Sequence, residues 1–309
     1  MFAPDRTPQP VGSVAGRVGG YAAAPMPPVS DSFPLGGDLE VKRLGFGAMR
    51  ITGAGIWGEP SDLASTWALL RRVVQAGVEL IDTADSYGPE VSENLIAEAL
   101  RPYPDNLVIA TKGGLERPGP GVWERNCRPD RLRRCCEASL KRLRLERIDL
   151  YQLHAVDPKV PIEDSVGALA ELQEEGKIRH VGLCNVTVEE LDRAREIVPI
   201  VSVQNRYNIA DRASEEVVAA CERDQLAFLP WFPLATGDLS SRGSTLEEIA
   251  RSHSATTRQV ALAWLLAHSP VMLPIPGTNS VAHFEENFEA AQLELEEDEL
   301  EALDELAPA

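Results

Sequence analysis

The chain lacks any apolar run approaching the ~20 residues that a membrane-spanning helix needs, so no span is expected. Paired cysteine motifs are missing too. The five cysteines (Cys127, Cys135, Cys136, Cys184 and Cys221) show neither a CxxC nor a Cys/His metal spacing. That pattern argues against a metal module and for a reducing, cytoplasmic setting. Basic residues are in short supply: 30 Lys and Arg face 48 Asp and Glu, leaving a formal net charge of −18. Such a surface repels polyanions, so neither nucleic acid nor an anionic membrane is an expected partner. No Ser/His/Asp signature of a hydrolase stands out.

What is present fits one large α/β domain, for which 309 residues suffice. The first 35 residues stand apart. They hold seven prolines and an Ala22-Ala23-Ala24 run, with no continuous apolar core of a signal peptide. Residues 1–35 are expected to form a disordered extension, and 36–309 a single catalytic domain.

From residue 38 short apolar runs alternate with amphipathic helical runs. The expected strands are 44–48, 78–82, 107–111, 148–154, 178–184, 200–204, 226–231 and 271–274. Most are apolar throughout, as parallel strands buried on both faces are. Ser61 is the expected cap of a helix with a core face of Leu63, Trp67, Leu70 and Val74, ended by Gly77. Pro161 opens another, through Val166, Leu169 and Leu172 to Gly176. Thr187/Glu190, Thr245/Glu248 and Thr256/Gln259 have capping-box spacing. Eight strand–helix units indicate a (β/α)₈ barrel, with additional helices near 245–253 and 296–306. An open doubly wound sheet would carry a glycine-rich phosphate loop after its first strand, and that fingerprint is absent.

In a barrel the active site lies at the C-terminal strand ends. Asp82 ends the second strand, with Tyr87 shortly after it. Lys112 follows the third and His154 ends the fourth. Three consecutive strand ends can bring these four side chains together. The motifs around them are Asp82-Thr-Ala-Asp-Ser-Tyr-Gly, Ala110-Thr-Lys-Gly, Asp149-Leu-Tyr-Gln-Leu-His, Gly182-Leu-Cys-Asn, Gln204-Asn-Arg-Tyr-Asn and Ile275-Pro-Gly-Thr. In this order, over nearly the whole domain, they resemble the aldo-keto reductase superfamily, in particular a bacterial branch.

The resemblance implies an NADPH-dependent oxidoreductase that reduces an aldehyde or ketone to the alcohol. Tyr87 would be the general acid, Lys112 would lower its pKa, Asp82 would neutralise Lys112, and His154 would orient the carbonyl. The chemistry needs such a set. Hydride addition builds an alkoxide that must be protonated, and a phenol with a pKa of ~10 is a poor acid near neutrality unless it is tuned.

For the cofactor, the resemblance points to Cys184, Asn185 and Gln204 around the nicotinamide carboxamide, with Trp231 stacked on the ring and Phe232, Pro233 and Leu234 following it. Ile275, Gly277, Thr278 and Ser280 would hold phosphate at a helix N-terminus. His283, Glu286 and Asn287 would meet the adenosine end. Histidine stands at 283 where many relatives carry arginine, which leaves NADH possible beside NADPH. Cys184 replaces the common serine. Met49, Ile51, Trp57, Trp123, Ala155 and Val156 are the expected substrate-pocket walls, and the 113–128 loop is a candidate lid. The same residues could serve an alcohol dehydrogenase, or a cofactor-binding regulatory protein with negligible turnover. The partner expected is a small carbonyl or alcohol; oligomeric state is left open.

Overall fold

A hairpin comes first in the computed structural model, which describes residues 31–234 and 244–306. Its strands β1 (Ser32–Leu35) and β2 (Leu39–Lys42) pair antiparallel, with Phe33 opposite Val41. Alternation turns Phe33, Leu35 and Val41 to the buried side. Residues 32–35 thus belong to the fold rather than to the extension. Four residues containing Pro34 read as a strand only once their partner is known. Residues 1–30 of that stretch lie outside the described residues.

One curled parallel sheet follows. It begins with β3 (Phe46–Gly47), β4 (Leu80–Asp82) and β5 (Val108–Gly113). A short antiparallel pair, β6 (Leu115–Glu116) and β7 (Glu124–Arg125), interrupts it within the expected lid loop. The sheet resumes with β8 (Ile148–Leu153), β9 (Ile178–Cys184), β10 (Ile200–Gln204) and β11 (Ala227–Phe228). Its order is β3-β4-β5-β8-β9-β10-β11, each strand beside the next in sequence. Every residue of β4 and β5 is buried, because helices cover one face and side chains fill the other.

The expected eighth strand at 271–274 does not form a ladder. Phe228 N donates to Val271 O and Leu273 N to Phe228 O, both at 2.8 Å. On the far side Gly45 N donates to Pro274 O (2.9 Å) and Gly47 N to Pro276 O (3.3 Å). Pro274 and Pro276 have no N–H to give back. On the β11 side Phe228 thus both donates and accepts, whereas toward β3 the eightfold barrel is closed by a seam of one-way hydrogen bonds. Its chains also run very close: a Cβ on Gly47 would lie 2.6 Å from Ile275 O, and one on Gly277 2.6 Å from Gly47 O.

The helices are α1 (Leu63–Gln75), α2 (Val91–Leu100), α3 (Pro129–Leu143), α4 (Ile162–Glu174), α5 (Val188–Arg195), α6 (Glu215–Asp224), α7 (Ser244–Ser252), α8 (Thr257–His268), α9 (Val281–Glu289) and α10 (Glu297–Asp304). Asp62, not Ser61, caps α1: its carboxylate accepts from both Ser65 N (3.0 Å) and Ser65 Oγ (2.6 Å). The buried face of α1 is Thr66, Leu69, Leu70 and Val73, with Trp67 and Val74 at its margin. Capping boxes form at Thr187/Glu190 and Thr256/Gln259. The expected Thr245 cap instead lies inside α7, whose described residues begin at Ser244. Helices α7 and α10 are the two additions to the eightfold repeat, and they pack on each other and on α8. No helix among the described residues is long and apolar enough to cross a membrane.

Candidate active site

Strand register brings the charged residues together. Asp82 pairs with Ala110 across β4 and β5, and Lys112 with Gln152 across β5 and β8. In parallel strands such partners point to the same face, so three strand ends converge. The turn after β4 then delivers Tyr87 above them.

Lys112 is the hub. Its Nζ donates to Asp82 Oδ2 (2.6 Å), Thr83 O (2.8 Å) and Tyr87 Oη (3.3 Å), and the side chain is wholly buried. Asp82 Oδ1 accepts two amides, Gln152 Nε2 at 3.0 Å and Gln204 Nε2 at 2.9 Å. A buried carboxylate so supplied remains a strong counter-ion. Burial alone would drive the Lys112 ammonium down; Asp82 above all, with Tyr87 and Cys184, outweighs it and holds the lysine above its ordinary range.

Tyr87 shows the opposite balance. Burial pushes its phenol up to about 12, and the charge and hydrogen bond of Lys112 only partly offset that. The lysine acts in the expected direction, but desolvation prevails. His154 is held well below its usual 6.5 by burial and then by Lys112, so its imidazole is neutral. Its ring meets Tyr87 edge-on, centroids 5.8 Å apart. On its other side Nδ1 lies 3.3 Å from Ser86 Oγ.

A cleft of about 950 Å³ opens at Asp82 and Tyr87. Most of the sequence-predicted cofactor residues line it: Gln204, Trp231, Phe232, Pro233, Leu234, Ile275, Gly277, Thr278, His283, Glu286 and Asn287. Met49 lines it from the first loop. Other candidates are not among its walls. Cys184 is turned into the barrel, where its thiol faces Gln152 Oε1 at 3.6 Å and burial raises its pKa. Asn185 sits in the left-handed region (φ 57°) and spends its amide locally, Nδ2 on His154 O (3.0 Å) and Oδ1 on Trp231 Nε1 (2.9 Å). Ser280 caps α9, its hydroxyl accepting from His283 N.

The predicted pocket walls are divided. Ile51 and Ala155 are buried in packing. Trp57 and Trp123 flank the Arg117 guanidinium, at 5.4 and 3.7 Å from their ring centroids. Arg117 Nη1 donates to Ile56 O (3.0 Å) and Ser86 O (3.1 Å), and Nε to Val122 O (3.0 Å). One side chain thus ties together the loops after β3, β4 and β5.

Sequence reasoning missed Gln152, Ser86, Arg50, Thr256, Thr257 and Arg258. The last four line the cleft. Arg258 is half-exposed, its Nη1 4.0 Å from Glu286 Oε1, and Thr256 Oγ1 donates to the same oxygen at 2.8 Å. Gln152 stands inside the Asp149-Leu-Tyr-Gln-Leu-His motif; Arg258 lies in the first turn of α8, whose sequence carries no signal of the cleft.

Against known proteins, the model of the aldo/keto reductase family matches residues 43–308. An uncharacterised oxidoreductase of Schizosaccharomyces pombe is 50% identical over 269 residues, 87% of this chain and 88% of that protein. Pyridoxine 4-dehydrogenase of Escherichia coli is 43% identical over 281 residues, 89% of this chain and 98% of that one. The crystal structure of an aldo/keto reductase from Klebsiella pneumoniae in complex with NADP and acetate superposes with a TM-score of 0.76 at 26% identity, covering 90% of this chain and 95% of that one.

Proposed function

The chain belongs to the aldo/keto reductase family, which makes it an NAD(P)H-dependent oxidoreductase, and on that premise we propose that it reduces an aldehyde or ketone with Tyr87 as the acid. The observation that carries this reading is the buried Asp82–Lys112–Tyr87 chain of contacts, 2.6 and 3.3 Å, opening on one long cleft.

NADPH fits the donor set of that cleft. In a chain of net charge −18, Arg50 and Arg258 are two permanent cations on its walls. Thr256, Thr257 and Thr278 add hydroxyls, and the N-terminus of α9 adds a positive dipole end. Arg258 supplies a fixed charge on the same cleft as His283. At the tetrad end Gln204 uses Nε2 on Asp82, and no hydrogen bond to its Oε1 forms among the described residues. That oxygen suits an amide donor. Asn185 acts through Trp231, whose indole it locks to the His154 backbone. Bound there, NADPH would supply the hydride.

The protein's own part is protonation and alignment. Tyr87, protonated across neutral pH, gives its proton to the forming alkoxide. Lys112 then stabilises the tyrosinate, and Asp82 keeps the lysine charged and in place. Neutral His154 donates a hydrogen bond to the carbonyl without competing as an acid. Run backwards, the same groups oxidise an alcohol. The relative named pyridoxine 4-dehydrogenase makes pyridoxal, and pyridoxine for the reverse direction, the first substrates to try.

The test is NADPH absorbance loss with a panel of ring aldehydes and ketones that includes pyridoxal, wild type beside Tyr87→Phe. The variant is expected to lose turnover about 100-fold or more while its NADPH fluorescence titration is unchanged. Wild-type kcat in the variant would remove Tyr87 from the acid role. NADPH binding with no turnover across the panel would favour the regulatory reading.

A further inference from the structure

We propose that Ser86 is a positioning residue that sets the tautomer of His154, so that the ring presents Nε2–H to the substrate oxygen. This rests on the catalytic reading of His154 given above.

His154 is buried close to the Lys112 ammonium, and both effects keep its ring neutral. A neutral imidazole carries one proton on one of two nitrogens, and only one choice serves a carbonyl. With Nε2 protonated the ring donates to the substrate oxygen. With Nδ1 protonated it turns a lone pair toward an oxygen that bears lone pairs of its own.

The hydroxyl beside Nδ1 decides between them. Ser86 is 2% exposed, and Oγ has a single hydrogen-bond partner among the described residues, His154 Nδ1 at 3.3 Å. If Ser86 donates, Nδ1 is the acceptor, the proton sits on Nε2, and both groups are satisfied. If His154 donates instead, the serine hydrogen is left in a buried place with no acceptor, and a stranded buried donor is costly. The first arrangement therefore prevails. At 3.3 Å the bond is long, and such contacts tighten once substrate is in place. Nε2 itself makes no hydrogen bond among the described residues, which leaves it for a ligand.

The backbone of Ser86 is held as firmly as its side chain. Arg117 Nη1 donates to Ser86 O (3.1 Å) and, by the same nitrogen, to Ile56 O (3.0 Å). The Trp123 ring covers the guanidinium at 3.7 Å. The hydroxyl is thereby anchored to the two neighbouring loops, so its aim at Nδ1 does not depend on its own rotamer alone.

The direct test is nitrogen-15 NMR of the full chain at neutral pH, which distinguishes protonated from unprotonated ring nitrogens. The chain has five histidines, and the His154 signals are identified by their loss in His154→Gln. In wild type Nδ1 is expected as the acceptor and Nε2 as the protonated nitrogen. Ser86→Ala should mix the tautomers and lower kcat about five- to tenfold, with NADPH affinity unchanged. Ser86→Thr, which keeps the hydroxyl, should restore both. Nδ1–H in the wild-type protein would overturn the proposal without any variant. So would Ser86→Ala with wild-type tautomer and kcat. If His154→Gln left turnover intact, the catalytic reading would fail separately, because the tautomer is read from chemical shifts rather than from activity.

Discussion

At the scale of single residues, Tyr87, Lys112 and His154 are buried deeply enough that desolvation competes with the charges around them. Tyr87 is pushed up to about 12 although an ammonium touches it, and His154 is held well below 6.5. Both signs favour the acid form of tyrosine and the neutral form of histidine through the physiological range. The kcat of carbonyl reduction is therefore expected to show no inflection near 6.5 and to fall only above about pH 10, as stopped-flow NADPH oxidation would show. Asp85 carries another consequence. Burial, then Glu93, raises its carboxyl to about 7, and Oδ1 is buried without a partner. The folded chain thus holds that proton more tightly than the unfolded one. Stability from this group falls as pH rises from the ordinary carboxylate range to about 7, and levels off above it. Asp85→Asn, which cannot ionise, should gain Tm over wild type, by a margin that grows a few degrees from about pH 5 to about pH 8. A constant margin in calorimetry would contradict the assignment.

At the scale of elements, what could be read in advance depended on whether the signal was local. β9 and β10 match the expected 178–184 and 200–204 to the residue, because apolar residues dominate their largely buried runs even with Arg179 and His180 inside β9. The convergence of Asp82, Lys112 and His154 was legible because they stand at or beside the ends of such strands, with Tyr87 in the turn after β4. The eighth segment was misread because its apolar character says nothing of the N–H groups that Pro274 and Pro276 lack. Arg258 could not be found at all. Its place on the cleft depends on where α8 returns to the barrel, which no neighbouring residue encodes. Yet it is the group expected to tell the two cofactors apart. Arg258→Ala should weaken NADPH about tenfold by fluorescence titration, and NADH much less, since a lost charge-assisted hydrogen bond costs ~1.5 kcal/mol or more. An equal loss for both would place Arg258 away from the extra phosphate.

At the scale of the whole molecule, the barrel is only as closed as its seam. Four backbone hydrogen bonds join 271–276 to β11 and to the first barrel strand, and the glycines beside them admit no side chain. Gly47→Ala would force a methyl carbon to 2.6 Å from Ile275 O, a backbone atom that cannot swing aside. We expect a loss of ~1–3 kcal/mol in urea unfolding. The seam also borders the cleft, so saturating NADPH should recover part of that loss by mass action; a variant as stable as wild type would mean that the strands can part without cost. Close by, Arg43 is buried and donates to Leu266 O, Ser269 O and Met272 O, acceptors more than two hundred residues downstream. A ribosome reading from the N-terminus exposes that guanidinium among the first parts of the barrel and delivers its carbonyls among the last. Until residues 266–272 have left the exit tunnel those three carbonyls are not there to receive it, so this part of the final shape is reached only after most of the message has been translated.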